Sequence, residues 1–313
     1  MGTTMKRKVK IKKKNFTIFL LFIMFFCFSI YEIGFIVYKA FTTSDEPYEP
    51  EIIEREEKPK KPKTKEEEAN YKNKLKELDN IDQEITYFRS ENIDRYLAYK
   101  KKNPKLSNTR IIKNVNMNLD LKPYEDITEA TNLDRHYVLV NKYYYLDEDY
   151  VPDNLERIST RYALSGMKMV DYAKEAFEDM AKAANKDGLK IVAMSTYRSY
   201  NYQVNLYNRY KRQDGIEKAD SYSGRPGHSE HQTGLAVDVY NEEQDYTNFE
   251  DTEEFKWMKK HAHEYGFILR FPKDKEKETG YVYESWHYRY VGKNIAKYIR
   301  EHNISLEEYI ATH

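Results

Sequence analysis

The chain has 313 residues, enough for about two domains, at least one of which can bury a complete hydrophobic core. Its formal net charge is zero, because 52 lysine and arginine residues balance 52 aspartate and glutamate residues. No overall basic field therefore favours a nucleic acid as partner. The single cysteine, Cys27, excludes disulfides, cysteine zinc sites and thiol catalysis from the remainder of the chain. The 30 tyrosines are compatible with a groove that is both apolar and hydrogen-bonding, and equally with AT-rich coding bias.

The N-terminal segment predicts a membrane anchor and a linker. Residues 1–14 carry seven lysine and arginine residues and no acid, and residues 16–37 are then mostly apolar over a length sufficient to cross a bilayer. The basic flank favours a cytoplasmic tail at 1–14, a single transmembrane anchor at 15–38 and an extracytoplasmic remainder held at the cell membrane. A cleaved signal peptide is the alternative, although the segment is longer than a signal core and has no clear cleavage site near Ala40. Residues 39–65 combine prolines with many charges, which predicts a disordered linker.

A helical stalk is predicted over residues 66–105. Apolar residues recur there at intervals of three and four, which is typical of a helix with one narrow apolar face, and we expect that helix to span 66–102. The residues of this stripe are Tyr71, Leu75, Leu78, Ile81, Ile85 and Phe88. A short coiled coil and a helix packed on the following domain are both compatible with the pattern. The main domain is predicted over residues 106–313, with its core in 150–313.

The predicted core alternates helices with strands that are not adjacent in sequence. Apolar residues with a period near 3.6 predict helices over 167–185, 203–212, 253–265, 294–301 and 306–310. Short apolar or alternating runs predict strands over 189–194, 235–240, 267–271 and 281–290. This mixture predicts an α+β domain.

The clearest chemical signal lies in residues 223–240, Ser-Gly-Arg-Pro-Gly-His-Ser-Glu-His-Gln-Thr-Gly-Leu-Ala-Val-Asp-Val-Tyr. Glycine and proline make the first part a loop, and the alternation of apolar residues makes the last part a strand. Asp238 then projects from one face of the strand, and His231 lies in the loop before it. A neutral imidazole and a carboxylate on rigid backbone supply two of the three protein ligands of a hydrolytic zinc site.

The third ligand and an acid are expected in the run Glu284-Ser-Trp-His287. A hydrolytic zinc site keeps three protein ligands and one position for water, and a carboxylate that does not bind the metal moves the proton of that water. We therefore interpret His287 as the third ligand, beside His231 and Asp238. Glu284 is the residue that handles the proton of the water. Residues three apart point to opposite faces of a strand, so this role requires a local bend.

Each of these residues also has a structural explanation. A single histidine is more often structural than ligating, and His228 competes with His231 because it lies only three positions away. We prefer His231, which adjoins the strand that carries Asp238. Arg198 follows a predicted strand and suits a carboxylate, which a guanidinium binds through two parallel hydrogen bonds, but a surface ion pair is the alternative. Spacing alone does not decide between a metal site and structural side chains.

Two motifs decide the question through their resemblance to a known family. They are Ser229-x-His231-x-x-Gly234-x-Ala236-x-Asp238 and Glu284-x-x-His287. Together they resemble the signature of zinc D-alanyl-D-alanine carboxypeptidases of the VanY type, which the related L,D-carboxypeptidases and VanX-type D,D-dipeptidases share. The likeness covers residues 91–313 and continues in 197–199, 265–270 and 286–292. One departure is Ser285, where relatives often have proline.

The resemblance implies a fold and a set of residue roles. The fold is a compact α+β domain with a small central antiparallel sheet flanked by helices. The zinc ligands are His231, Asp238 and His287, and the catalytic base and acid is Glu284. The residues that line the pocket for the terminal residue of the substrate and its carboxylate are Arg198, Gln203 and Ser229.

The resemblance and the predicted anchor together indicate a membrane-anchored, outward-facing zinc carboxypeptidase. We expect it to remove the C-terminal D-Ala from peptidoglycan stem peptides by means of metal-activated water. The nearest alternative is an L,D-carboxypeptidase that acts on tetrapeptide stems. A D-Ala-D-Ala dipeptidase is less favoured, because such enzymes work in the cytoplasm, where the dipeptide is made. An alternative of another class is a non-catalytic wall-binding module on a stalk, which would not need an acid at the position of Glu284.

Overall fold

The computed structural model describes residues 64–79, 85–243 and 245–313. The predicted cytoplasmic tail, the transmembrane anchor and nearly all of the linker lie outside these residues and stay predictions. Within the described ranges, no helix is long and apolar enough to cross a membrane.

The first three helices of the described part form a helical module with a core of its own. They are α1 (Lys65–Glu77), α2 (Ile93–Lys102) and α3 (Asn108–Asn116). The single helix predicted over 66–102 is therefore wrong, because α1 stops before Asp79, whose left-handed φ of 57° ends the helical path. Ile81 of the apolar stripe lies outside the described residues, and the other stripe residues pack in or against the core of the module. That buried core consists of Leu75, Leu78, Ile93, Tyr96, Ile111, Ile112 and Val115.

Two small pairs of strands follow the helical module. Strand β1 (Thr128–Glu129) pairs in parallel with β2 (Tyr144–Tyr145). Strand β3 (Leu155–Arg157) pairs antiparallel with β4 (Lys168–Val170). The second pair leads directly into the longest helix of the domain, which the sequence predicted to begin a few residues earlier.

The central sheet contains four strands of the described part. They are β5 (Val192–Ser195), β6 (Ala236–Tyr240), β7 (Phe267–Phe271) and β8 (Glu284–Tyr290). Their spatial order is β5-β6-β8-β7, and every neighbouring pair is antiparallel. The predicted α+β class with a small central antiparallel sheet is confirmed.

Seven helices accompany this sheet in the described part of the chain. They are α4 (Asp171–Lys186), α5 (Tyr200–Asp214), α6 (Ile216–Tyr222), α7 (Glu253–His261), α8 (Glu276–Thr279), α9 (Lys293–His302) and α10 (Leu306–Thr312). Helix α4 shows why they pack, because its apolar residues recur on one face and share a core with those of β6. The α4 residues of this core are Ala173, Phe177, Met180, Ala181 and Ala184.

Serine side chains fix where two of these helices begin. Ser199 caps α5 by accepting a hydrogen bond from the Tyr202 amide at 3.3 Å. Ser305 caps α10 by accepting one from the Glu308 amide at 3.1 Å. An N-cap serine satisfies one of the free amides of the first turn, so these caps set the orientation of both helices.

Candidate active site and metal centre

The three predicted metal ligands meet on the central sheet. Asp238 on β6 and His287 on β8 are direct partners in the register of the two strands. His231 lies in a 3₁₀ turn, Glu230–Thr233, which ends at Gly234 and leads into β6. One ligand atom from each of the three residues lies within 4.8 Å of the other two, and all three side chains are buried. A side-chain group of this kind can hold a metal ion.

His231 presents a lone pair to the centre of this group. Its Nδ1 donates to the carbonyl oxygen of Thr196 at 2.7 Å, so its Nε2 carries the lone pair. Burial, assisted by Arg198, lowers the pKa of His231 to about 4, and the ring is therefore neutral at pH 7. Nε2 nevertheless lies 3.3 Å from Oδ2 of Asp238. Two lone pairs that face each other at this distance repel, and a cation between them removes the repulsion.

Asp238 is the electrostatic centre of the site. Its Oδ1 accepts a hydrogen bond from Nδ1 of His287 at 2.9 Å, and its Oδ2 accepts one from Arg198 at 2.6 Å. Burial by itself raises the pKa of Asp238, but the Arg198 guanidinium and the hydrogen bond from His287 hold it well below its usual range. Burial would lower the pKa of His287, yet Asp238 and Glu230 together raise it to about 9. A proton therefore occupies Nδ1 in the metal-free protein, where a metal would take its place.

Glu284 lies beside the three ligands, at the start of β8. Its Oε2 is 3.8 Å from Nδ1 of His287. The register of β7 and β8 shifts between Leu269 and Phe271, so Tyr288 pairs with Leu269 and Glu284 pairs with Phe271. This bulge is the local bend that the spacing required, and it brings both side chains to one side of the strand. Burial raises the pKa of Glu284 to about 8, which suits a group that accepts and returns a proton near neutral pH.

Arg198 enters the site between β5 and α5. Its Nη2 donates to Asp238, and its Nε donates to Oγ of Ser195 at 3.0 Å. Because Asp238 is buried, this contact is not the surface ion pair considered as the alternative. The remaining nitrogen, Nη1, has no hydrogen bond to any described residue, and the side chain lines the cavity described below. The guanidinium can therefore receive a second carboxylate.

Gln203 and Ser229 face the same space. The amide nitrogen of Gln203 donates to the Gly224 carbonyl oxygen at 2.7 Å and to the Ser223 hydroxyl at 3.3 Å. Its Oε1 is buried and has no hydrogen-bond partner in the described part of the chain. The hydroxyl of Ser229 likewise makes no hydrogen bond to a described residue. Both residues thus offer polar atoms that the protein itself does not use.

His228 has a different environment from His231. Its Nδ1 is 2.8 Å from the Asn141 carbonyl oxygen, and its ring meets the Tyr124 ring edge-on at 5.0 Å between centroids. Burial lowers the pKa of His228. The structure brings His231, and not His228, next to Asp238.

All of these predicted residues line one cavity of about 420 Å³. Its other walls are largely aromatic and include Tyr202, Tyr210, Tyr222, Tyr246, Tyr281 and Trp286. Arg209 also lines the cavity, with its guanidinium 5.4 Å from the centroid of the Tyr210 ring and no ion pair to a described residue. The abundant tyrosines thus supply a surface that is both apolar and able to form hydrogen bonds.

Sequence reasoning missed a group of charged side chains behind His287. We call Glu230, Arg270, Arg289 and Glu307 the interior network, and each of them is at most 4% exposed. Glu230 Oε1 accepts hydrogen bonds from both arginines at 2.8 Å, and Arg270 pairs with Glu307 through bonds of 2.9 and 2.6 Å. A usable signal was present at Arg270, which interrupts the strongly apolar strand Phe267–Phe271, where a charge without a partner is costly.

The site defines a class of enzyme. Two imidazoles and one carboxylate are a common ligand set for a catalytic metal ion that keeps a position open for water. A further carboxyl group with a raised pKa stands beside them, and a cavity gives access to both. These are the parts of a metal-dependent hydrolase.

Comparisons with known proteins agree with this class. The family model VanY, described as D-alanyl-D-alanine carboxypeptidase, matches residues 166–293. The protein YodJ of Bacillus subtilis (strain 168) is 37% identical over 203 residues, which are 61% of this chain and 72% of YodJ. The solved structure of the LdcB LD-carboxypeptidase is 36% identical, with a TM-score of 0.57 over 61% of this chain and 93% of LdcB. The structure of VanYB in complex with D-alanine-D-alanine is 31% identical, with a TM-score of 0.50 over 57% of this chain and 98% of VanYB.

The chain belongs to the VanY family of D-alanyl-D-alanine carboxypeptidases. The resemblance stated from its two motifs is confirmed, and so is the mixed helix and sheet fold that the resemblance implied.

Proposed function

We propose that the protein is a zinc-dependent carboxypeptidase that removes the C-terminal D-Ala from peptidoglycan stem peptides. One observation carries the proposal: His231, Asp238 and His287 converge within 4.8 Å in a cavity that also contains Glu284. The membership of the VanY family and the similarity to a structure with bound D-alanine-D-alanine support this choice of substrate.

The ligand set fits zinc. Nε2 of His231, a carboxylate oxygen of Asp238 and Nδ1 of His287 would hold the ion, since these atoms already point at one another. When bound, zinc polarises the scissile carbonyl group and lowers the pKa of the attacking water to about 7. The protein fixes the orientation of His231 through the Thr196 carbonyl oxygen, which holds the ring in the tautomer that a metal requires.

Glu284 would move the proton of the reaction. Its carboxylate lies beside Nδ1 of His287 without belonging to the group of three ligands. It would accept a proton from the attacking water and return it to the leaving amine, which is the amino group of D-Ala. Burial raises its pKa to about 8 in the metal-free protein, so it binds a proton more firmly than an exposed glutamate does.

The residues around the ligands suit a terminal D-Ala and its carboxylate. Arg198 keeps Nη1 free, and Ser229 has a free hydroxyl, so both can donate hydrogen bonds to the substrate carboxylate. Oε1 of Gln203 is a buried acceptor without a partner among the described residues, and it would accept an amide N–H of the peptide. The aromatic walls of the cavity can pack against the substrate residues that precede D-Ala.

The predicted N-terminal segment supports a location at the outer face of the cell membrane. The basic residues 1–14 and the apolar residues 16–37 are the basis of this part of the proposal. An anchor followed by a charged linker would place the catalytic domain close to newly made peptidoglycan. Labelling of cysteines engineered before and after residues 15–38, in a chain that also carries Cys27→Ser, from each side of the membrane tests this topology.

A cleavage assay tests the proposed reaction. The purified full-length chain is incubated with zinc and separately with a pentapeptide and a tetrapeptide stem, and product masses are read with and without a chelator. We expect chelator-sensitive loss of one alanine from the pentapeptide. If the zinc-bound protein cleaves neither peptide, the result favours the alternative of a non-catalytic wall-binding module.

The L,D-carboxypeptidase reaction is the second candidate, because the chain is 36% identical to LdcB. The same assay separates the two reactions. Loss of alanine from the tetrapeptide alone would move the assignment to this alternative.

A further inference from the structure

The interior network connects helix α10 to a metal ligand on the central sheet. Its first link is Glu307 of α10, which accepts two hydrogen bonds from the guanidinium of Arg270 on β7. The second link is the bond of 2.8 Å from Nε of Arg270 to Oε1 of Glu230. Arg289 on β8 holds the same oxygen from another direction, also at 2.8 Å. One oxygen of Glu230 is therefore fixed by two arginines.

The other oxygen of Glu230 faces His287. Oε2 lies 3.6 Å from Nε2 of His287, and neither atom has a hydrogen-bond partner among the described residues. Both atoms are buried. A carboxylate that accepts the second ring N–H of a metal-bound histidine fixes the tautomer and orientation of that ring. Glu230 has the position for this contact with His287.

Stability alone does not explain the network. Removing two carboxylates and two guanidinium groups from water is costly, and apolar side chains of similar size often serve as well or better in a protein core. The network instead provides a rigid support, and its one polar atom without a hydrogen bond to a described residue, Oε2 of Glu230, points at a metal ligand. Such an arrangement is expected where geometry matters more than stability.

We propose that Glu307 is a positioning residue for the metal ligand His287. It acts through two intermediates, Arg270 and Glu230. Glu307 keeps Arg270 in place, Arg270 keeps Oε1 of Glu230 in place, and Oε2 is thereby aimed at Nε2 of His287. Helix α10 thus belongs to the metal site although none of its side chains lines the cavity.

The variant Glu307→Gln tests the proposal in the full-length protein. Without the carboxylate of Glu307, we expect Arg270 to turn further towards Glu230. This movement would draw Oε2 of Glu230 away from His287. We expect the zinc affinity, measured by competition with a chelator, to fall about tenfold, the lower end of the effect of losing a partner of a metal-bound histidine. With saturating zinc, kcat falls while KM changes less than about twofold, since Glu307 itself does not line the cavity.

The neighbouring variant Glu308→Gln is the matched control. Glu308 is similarly buried in the same helix, but it pairs with Lys113 of the helical module at 2.7 Å and does not touch the network. Its loss should lower the unfolding temperature and leave the zinc affinity unchanged. The proposal is overturned if Glu307→Gln keeps the wild-type zinc affinity, or if both variants lose it equally.

A double variant, Arg270→Met with Glu307→Leu, covers the case in which Glu307→Gln does not fold. It removes one charge of each sign and fills the space with apolar atoms, an exchange that buried ion pairs often tolerate. A folded double variant with weakened zinc binding supports the proposal, and one with wild-type zinc binding overturns it. The inference rests on the proposed zinc site but not on the substrate, because zinc affinity is measured without a peptide.

Discussion

The two ring nitrogens of His287 face two regions that both contain buried charges. We call the first the cavity side, and it consists of His231, Asp238, Arg198 and Glu284. On the cavity side, the Nε2 lone pair of His231 faces a carboxylate oxygen at 3.3 Å, and Glu284 carries a raised pKa. In the interior network, by contrast, every carboxylate oxygen except Oε2 of Glu230 accepts a hydrogen bond from a guanidinium at 2.6 to 2.9 Å.

The comparison teaches that burial of charge does not by itself mark a functional site. The interior network is nearly satisfied within the protein, and its charges balance. The cavity side holds groups that are poorly matched unless a cation and a substrate complete them. Sites that break the ordinary rules of a stable core are where function is expected. Variants on the cavity side should therefore lose activity while the fold stays stable. Removing one partner of an ion pair in the interior network should in addition lower the free energy of unfolding.

The largest effect is expected from Glu284→Gln on the cavity side. The amide cannot accept a proton from water, so kcat should fall by roughly 10²- to 10⁴-fold. Zinc should remain bound, because Glu284 is not one of the three converging ligands. The measurements are the turnover rate with the pentapeptide and the zinc content of the protein by metal analysis. The exposed Glu243→Gln serves as control, and full activity of Glu284→Gln would show that the mechanism is wrong.

A large effect of the opposite kind is expected from Arg289→Met in the interior network. Glu230 then keeps only one of its two guanidinium partners at Oε1. Breaking a buried ion pair by removing one partner costs about 3–5 kcal/mol in the free energy of unfolding. Denaturant unfolding of the metal-free protein measures this. The exposed Arg212→Met in α5 should change the free energy of unfolding by less than about 0.5 kcal/mol. A similar loss in both variants would contradict the comparison.

The pH dependence of zinc binding is the next effect in size. His231 has a pKa lowered to about 4 and is already neutral at pH 7, whereas His287 has a pKa raised to about 9 and is protonated there. Zinc must displace that single proton, so its affinity should fall about tenfold for each pH unit below 9 and level off above it. Chelator competition between pH 6 and 10 measures the slope. An affinity that does not change between pH 6 and 8 contradicts the assignment of Nδ1 of His287.

The smallest effects come from a matched pair of serines. The hydroxyl of Ser229 is unused by the protein, so Ser229→Ala should raise KM up to about tenfold and leave the unfolding temperature unchanged. Ser305 caps α10, so Ser305→Ala should cost about 1 kcal/mol of stability and leave KM unchanged. Steady-state kinetics and thermal unfolding on both variants complete the test. If Ser229→Ala instead lowered stability and Ser305→Ala instead raised KM, the roles assigned to the two serines would be wrong.

The local parts of this structure were predictable from the sequence. Alternating apolar residues located β6 and β7, and helical periodicity located α4 and α9, because these patterns record which face of an element is buried. The motif around Asp238 also indicated the ligand chemistry, since loop and strand follow each other directly. The bend at Glu284 could be inferred because the function required it.

Contacts over long sequence distances were not predictable in the same way. The break in the helix predicted over 66–102 arises where α1 and α2 pack on α3, and propensity alone does not indicate such packing. Nothing in the sequence around Glu307 shows that its partner is Arg270, which lies 37 residues earlier. The interior network is therefore visible only once the sheet and α10 are assembled.

The pairing of Asp238 with His287 across β6 and β8 makes the metal site a check on assembly. A slip of one residue between these strands would turn one of the two side chains to the opposite face of the sheet. A misaligned chain therefore has no complete set of ligands, whatever its content of helix and strand. Zinc content measured on freshly refolded protein would count the molecules whose central sheet has closed in the correct alignment.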